Sequence, residues 1–215
     1  MNIEELQSFL EQNPFISLKP SIGGSTVLEG ELGFRAAADG LPELEDAYKV
    51  RIHVLIDFPR SLPTVTEIGG RVPPRGRFHM NDDGTLCLGS ALSLMIRLQQ
   101  EPTLSRFFSR CVVPYLYAMS LTLKHGHHFP FGELNHGRPG LIDDYLEMFG
   151  LQHESQLLEA LDCLALKKRL ANKRLCPCRC GKRLGRCIFN YRIRHLRGTL
   201  PRSWFRKHVR DLKSA

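Results

Sequence analysis

Four cysteines crowd into twelve positions, CPCRCGKRLGRC at residues 176–187, inside a stretch whose charge opposes ordinary collapse. Residues 163–215 carry 17 Lys and Arg against one acidic residue, whereas residues 1–162 carry 13 against 21. A net charge of +16 on 53 residues repels itself, so this tail needs a cross-link, an acidic surface or a separate polyanion to become compact. Seven cysteines in all, an odd number, fit metal binding and a free thiol better than a disulfide framework. Zinc held by Cys176, Cys178, Cys180 and Cys187 is therefore expected, with surrounding Lys and Arg favouring the thiolate form. A four-thiolate shell leaves no open position for water, so the metal is expected to fold a tail too small for its own core.

The remaining residues are sufficient for one larger domain, since 42% hydrophobic content over 215 residues can build a real core. The expected division is 1–170 for this domain and 171–215 for the basic, cysteine-rich tail. Ile3, Leu6, Phe9 and Leu10 recur at helical spacing up to Asn13-Pro14 and predict a short amphipathic helix. Residues 15–22, 26–36 and 48–57 read as strands, with a fourth near Thr64–Ile68, giving an antiparallel meander. Residues 104–123 are dense enough in apolar side chains for a buried helix kinked at Pro114, and 141–151 and 154–170 predict two more helices. The expected class is α+β. No run approaches the roughly 18 apolar residues of a membrane span, and the start MNIEELQSFLEQ lacks the basic and apolar regions of a signal peptide, so a cytoplasmic location without membrane contact is expected.

The segment RFHMNDDGTLCLG, residues 77–89, holds the candidate chemistry. A cysteine nucleophile attacking an acyl carbon creates an oxyanion that a side-chain amide can stabilise. Cys87 is the candidate nucleophile and Asn81 the candidate donor. His79 could hold the loop through its ring nitrogens or act as a base toward the thiol, and spacing does not choose between them. Asp82, Asp83 and Gly84 signal a tight turn that would fold Cys87 back toward His79. Cys111 and Cys163 fall in apolar helical patterns and are expected to be core thiols. His125, His127, His128 and His136 lie in the following glycine-rich stretch with only Glu133 beside them, so loop packing is favoured over metal binding; one of them approaching Cys87 as its base is the functional variant.

The same segment resembles the active-site region of the ubiquitin-conjugating enzyme family, with His79-Met80-Asn81 at its His-Pro-Asn triplet and Gly84-Thr85-Leu86-Cys87-Leu88 at its cysteine motif. Asp57-Phe58-Pro59, Leu62-Pro63 and Glu101-Pro102-Thr103-Leu104-Ser105 resemble its flanking segments, so about the first 125 residues are covered. Met80 stands where the family has proline, and the stretch from Asn81 to Cys87 is about two residues shorter than in eukaryotic members. The segment also resembles bacterial members found beside signalling nucleotidyltransferases in antiphage operons, which tend to carry cysteine-rich tails as well. The implied fold is a ubiquitin-conjugating-like domain plus a zinc knuckle. The implied activity is transfer of a partner protein's C-terminal acyl group through a thioester on Cys87, with Asn81 at the oxyanion and His79 organising the loop. A signalling nucleotidyltransferase is the implied donor, and an activating enzyme a further partner.

The tail resembles the zinc knuckle at the C-terminus of SecA-type proteins: Cys176-Pro177-Cys178, Gly181-Lys182 and Cys187 match, while Ile188 occupies the place of the fourth ligand. Cys180 or His195 must then complete the shell. Beyond it, YRIRHLRGTLPRSWFRKH interleaves arginine with Tyr191, Trp204 and Phe205, a pattern that could grip phosphates and stack on bases or anchor on an acidic protein. Two other classes of function stay open: a thiol peptidase using Cys87 with a histidine, and a non-catalytic interaction module whose basic tail holds nucleic acid.

Overall fold

The computed structural model describes residues 3–20, 23–73, 79–126 and 137–214. The chain is α+β and divides into two compact units, Met1–Glu133 and Leu134–Ala215. In the first, helix α1 (Ile3–Gln12) precedes strands β1 (Ile16–Lys19), β2 (Thr26–Ala36), β3 (Leu44–Val54) and β4 (Thr64–Glu67), which form one sheet in the order β1-β2-β3-β4 with every neighbour antiparallel. β3 shows why the sheet has one wet face: Tyr48, Val50, Ile52 and Val54 are buried while Lys49, Arg51 and His53 are exposed, the period-two alternation of a half-buried strand. Gly30 is required by close approach, because a Cβ there would lie 2.0 Å from the Phe15 carbonyl oxygen and 2.7 Å from the Ile16 Cα.

The helical layer over the dry face comes from residues 91–125. Helix α2 (Ala91–Leu98) is capped by Ser90, whose hydroxyl accepts from the Ser93 N–H. Helix α3 (Leu104–Phe107) runs through a π-helical turn (Phe108–Val112) into α4 (Val113–His125). The sequence predicts a kink at Pro114; the structure has a wider turn instead. Pro114 cannot donate to the Arg110 carbonyl, and the chain answers by shifting to longer pairing, with the Val113 N–H on the Phe108 carbonyl and an Arg97 Nη1 at 3.4 Å from the Arg110 oxygen. Phe9, Leu104, Phe107, Val112 and Leu116 are fully buried here, each worth about 1.5–3 kcal/mol on a transfer scale. The Phe9 and Phe108 rings meet at 4.9 Å.

A part-buried ionic network joins sheet to helix. Asp46 on β3 accepts two bonds from the Arg71 guanidinium, at 2.9 and 3.0 Å, and further contacts from Ser120 at 2.7 Å and Lys124 at 2.9 Å. Burial alone would raise the Asp46 pKa, but these donors outweigh it and hold the carboxyl well below the usual carboxylate range. Arg71 also stacks 4.1 Å above the Tyr48 ring. Glu67 accepts from the Gly69, Arg71 and Val72 N–H groups, so two carboxylates pin the segment that leads toward residue 79.

In the second unit, α5 (Gly137–Phe149) and α6 (Glu154–Ala165) are followed by α7 (Lys168–Ala171), a 3-10 turn (Leu184–Arg186), α8 (Ile188–Arg194), α9 (Leu196–Thr199) and α10 (Arg202–Ser214). The boundary expected at 170/171 lies instead at 133/134, because α10 packs on α6 and the two bury Leu157, Leu161 and Leu164 together with Phe205, Val209 and Leu212. The tail therefore shares a core with residues 137–165 rather than depending on metal alone. The helix expected over 154–170 ends at Ala165, where Arg197 donates to the Cys163 and Leu166 carbonyls at 2.7 and 3.0 Å and holds the open C-terminus. Gly150, with φ of 63°, ends α5 in the left-handed conformation.

Candidate functional site

Residues 79–87 form a small hairpin beside β4. The Asn81 N–H donates to the Thr85 carbonyl, the Gly84 N–H to the Asn81 carbonyl and the Cys87 N–H to the His79 carbonyl, at 2.9, 2.9 and 2.8 Å. Gly84 takes φ of 80°, the conformation that the Asp-Gly signal requires. The Leu86 N–H donates to the Val65 carbonyl at 2.7 Å, tying the hairpin to the sheet, and Leu86 is buried. Alternation then turns the next residue the other way: Cys87 is half-buried, a free thiol neither sealed in the core nor fully solvated.

The structure brings Cys87 and His79 into direct backbone pairing. His79 is buried, 6% exposed, in a left-handed conformation with φ of 47°, which is unusual for a residue with a β-carbon and fits a position held by its surroundings. Asn81 is exposed and its carboxamide donates to the Thr85 hydroxyl at 2.8 Å. That hydroxyl donates in turn to Asp83 at 2.6 Å, and with the Thr85 N–H it holds the Asp83 carboxyl below its usual range. In this arrangement Asn81 braces the turn, with one amide hydrogen still available. Tyr115 on α4 is a neighbour that residue patterns do not reveal, because it sits in an apolar run. Its phenol is buried and pushed well above the usual tyrosine range, by burial first and then by the charge of Cys87.

Several expected contributors lie elsewhere. Residues 77 and 78 of the loop, and His127, His128, Glu133 and His136, are outside the described residues, as is the side chain of His125. Cys111 and Cys163 are core thiols, 1% and 2% exposed, with burial pushing the Cys111 thiol up to about 11 and the Cys163 thiol in the same direction.

The tail cysteines do converge. The sulfurs of Cys176, Cys178, Cys180 and Cys187 all lie within 4.8 Å of one another, with 3.2 Å between Cys176 and Cys178, 3.5 Å between Cys178 and Cys187 and 3.4 Å between Cys180 and Cys187. The set is one that could hold a metal ion. Tetrahedral zinc thiolate, with Zn–S near 2.3 Å, needs sulfurs about 3.8 Å apart, so small adjustments would suit it. Cys180, not His195, completes this group. Local backbone explains the convergence. The Cys176 N–H donates to the Lys182 carbonyl, Arg179 and Gly181 take φ of 63° and 74°, and the Cys187 sulfur accepts from the Phe189 N–H at the start of α8. The Lys182 N–H, with the neighbouring thiols, brings the exposed Cys180 thiol down to about 7, whereas burial pushes Cys176 well up. Gly185 is needed here, since a Cβ would meet the Asn172 Cβ at 2.9 Å.

Of the tail aromatics Tyr191, Trp204 and Phe205, Phe205 is fully buried, Trp204 is half-buried and stacks on His208 at 4.5 Å, and Tyr191 is 64% exposed. Among the described residues, no helix is long and apolar enough to cross a membrane. No protein-family model matches the chain, and neither a curated protein nor a solved structure matches it.

Proposed function

We propose that the chain is a cysteine-dependent acyl transferase of the ubiquitin-conjugating type. The Cys87 thiolate attacks the activated C-terminal carbonyl of a partner protein, the tetrahedral oxyanion collapses as the leaving group departs, and the acyl group rests on sulfur as a thioester. An acceptor amine then attacks that carbonyl and releases the thiolate. Asn81 stabilises the oxyanion through its remaining amide hydrogen, and His79 positions the loop. The observation that carries this reading is a half-buried free thiol at the end of a sheet-anchored hairpin, bonded through its backbone to a buried histidine.

The succession of helix, four-stranded meander, cysteine hairpin and covering helices supports a ubiquitin-conjugating-like domain in the first unit. Resemblance to bacterial defence proteins favours a signalling nucleotidyltransferase as donor, charged by a separate activating enzyme. In the second unit the four thiolates hold structural zinc.

The test combines the chain with such a donor, an activating enzyme and ATP. Cys87 is expected to give a thiol-sensitive adduct, Cys87→Ser a thiol-stable ester, and Cys87→Ala none. A shortened donor without any adduct would identify a thiol peptidase instead, and full activity in Cys87→Ala would overturn the proposal.

A further inference from the structure

We propose that the basic face formed by residues 181–194 binds single-stranded nucleic acid, a role that does not depend on the Cys87 chemistry. Leu134–Ala215 carries 18 Lys and Arg against 7 Asp and Glu, but the excess alone does not define a site. The shape does. Gly181, Lys182, Arg183 and Arg186 line a groove of about 780 Å³. Each basic residue there has its backbone fixed: Lys182 accepts from the Cys176 N–H, Arg183 pairs with Leu175, and the Arg186 N–H donates to the Arg183 carbonyl. The charges are therefore presented on a rigid turn rather than on a flexible tail, which lowers the ordering cost of binding. Among the described residues, four of the seven acids of this unit pair elsewhere: Glu159 with Arg179, Asp162 with Lys213, Glu154 with Arg138 and Asp211 with Lys207. None of them neutralises Lys182, Arg183 or Arg186.

The helix that follows the groove in the chain exposes an aromatic ring. Helix α8 begins two residues after Arg186, and Ile188 and Tyr191, one turn apart, are 79% and 64% exposed. The Arg194 guanidinium stacks on Tyr191 at 4.3 Å from the ring centre. A basic groove followed within five residues by an exposed aromatic ring backed by a guanidinium is suited to a single strand, whose backbone follows the charge while an unstacked base lies on the ring. An acidic protein would use the groove and anchor on the ring as well, so competition by poly-glutamate decides between the two occupants. A duplex keeps its bases stacked and unavailable to the ring.

The experiment is fluorescence anisotropy of the full chain with a labelled single-stranded oligonucleotide of about 12 nucleotides, in RNA and DNA forms, over a salt series. Joint replacement of Lys182, Arg183 and Arg186 by alanine is expected to weaken binding at least tenfold and to reduce the log–log salt slope by about 2, as three lost phosphate contacts on a single strand predict. Tyr191→Ala is expected to weaken binding about tenfold with the slope unchanged, and Tyr191→Phe to restore it. Joint replacement of the exposed Lys19, Lys49 and Arg60 removes equal charge from the first unit and is expected to leave affinity unchanged. Circular dichroism of each variant separates lost contact from lost fold. Three results would overturn the proposal: equal loss in the Lys19, Lys49, Arg60 control, Tyr191→Ala binding as the parent does, or a poly-glutamate peptide competing as well as the oligonucleotide at equal charge.

Discussion

Replacing Asp46 with Asn isolates the ionic network that fastens β3 to α4 and to the approach of the Cys87 hairpin. Asparagine keeps the shape of the side chain but makes one oxygen an NH2 group. The less costly orientation puts the NH2 at Oδ1, which loses the bonds from the Ala47 N–H and one Arg71 nitrogen while Ser120 and Lys124 keep an acceptor. Two bonds to a charged group are worth about 1.5–3 kcal/mol each. Arg71 and Lys124 are 36% and 42% exposed and regain water, so the expected net loss is about 2–3 kcal/mol. The assay is hydrogen exchange read peptide by peptide. Protection of β2, β3 and α4 should fall by that free energy at neutral pH. The parent protein gives the matching pH series: the Asp46 pKa is depressed by folding, so its contribution is complete above the unfolded value of about 3.9 and drains away as pH falls through that value toward the folded one. Asp46→Asn should lack this acid-side loss. Unchanged protection at neutral pH, or an identical acid-side slope in both proteins, would show that the network is only surface pairing and refute the reasoning.

Three further outcomes are expected. Native mass spectrometry should find one zinc ion per chain, absent after Cys176→Ser, with hydrogen exchange rising over residues 172–190. Gly185→Ala should destabilise the second unit by about 1–3 kcal/mol through the clash with Asn172, measured by denaturant titration of Trp204 fluorescence. His208 bonds to the Tyr145 hydroxyl at 2.9 Å, and burial lowers its pKa, so stability should fall as pH drops below the unfolded histidine value of about 6.5 toward the folded one. His208→Gln should flatten that segment of the profile when Trp204 emission is followed.

Residues with periodic burial were legible from sequence. Tyr48, Val50, Ile52 and Val54 announce β3, Asp83-Gly84 announces the turn behind Cys87, and the four tail cysteines announce their own convergence, because each signal lies within a few residues. What escaped depends on distant partners. Helix α2 hides because ALSLMIRL is only eight residues long, shorter than the stretch over which a helical period can be read. Arg and Lys disguise α10 as a basic arm, although Phe205, Val209 and Leu212 face α6 at helical spacing. The unit boundary at 133/134 follows from that packing and from no change in composition. Asn81 shows the limit most clearly, since its residue type suits an oxyanion donor while its partner in the fold is Thr85.

The most direct measurement is intact and tandem mass spectrometry of the chain after exposure to a peptide bearing an activated C-terminal thioester. The account predicts one acyl group on the parent, mapped to Cys87, removed by hydroxylamine and missing from Cys87→Ala. Acylation spread over the tail thiols with Cys87 unmodified would contradict it.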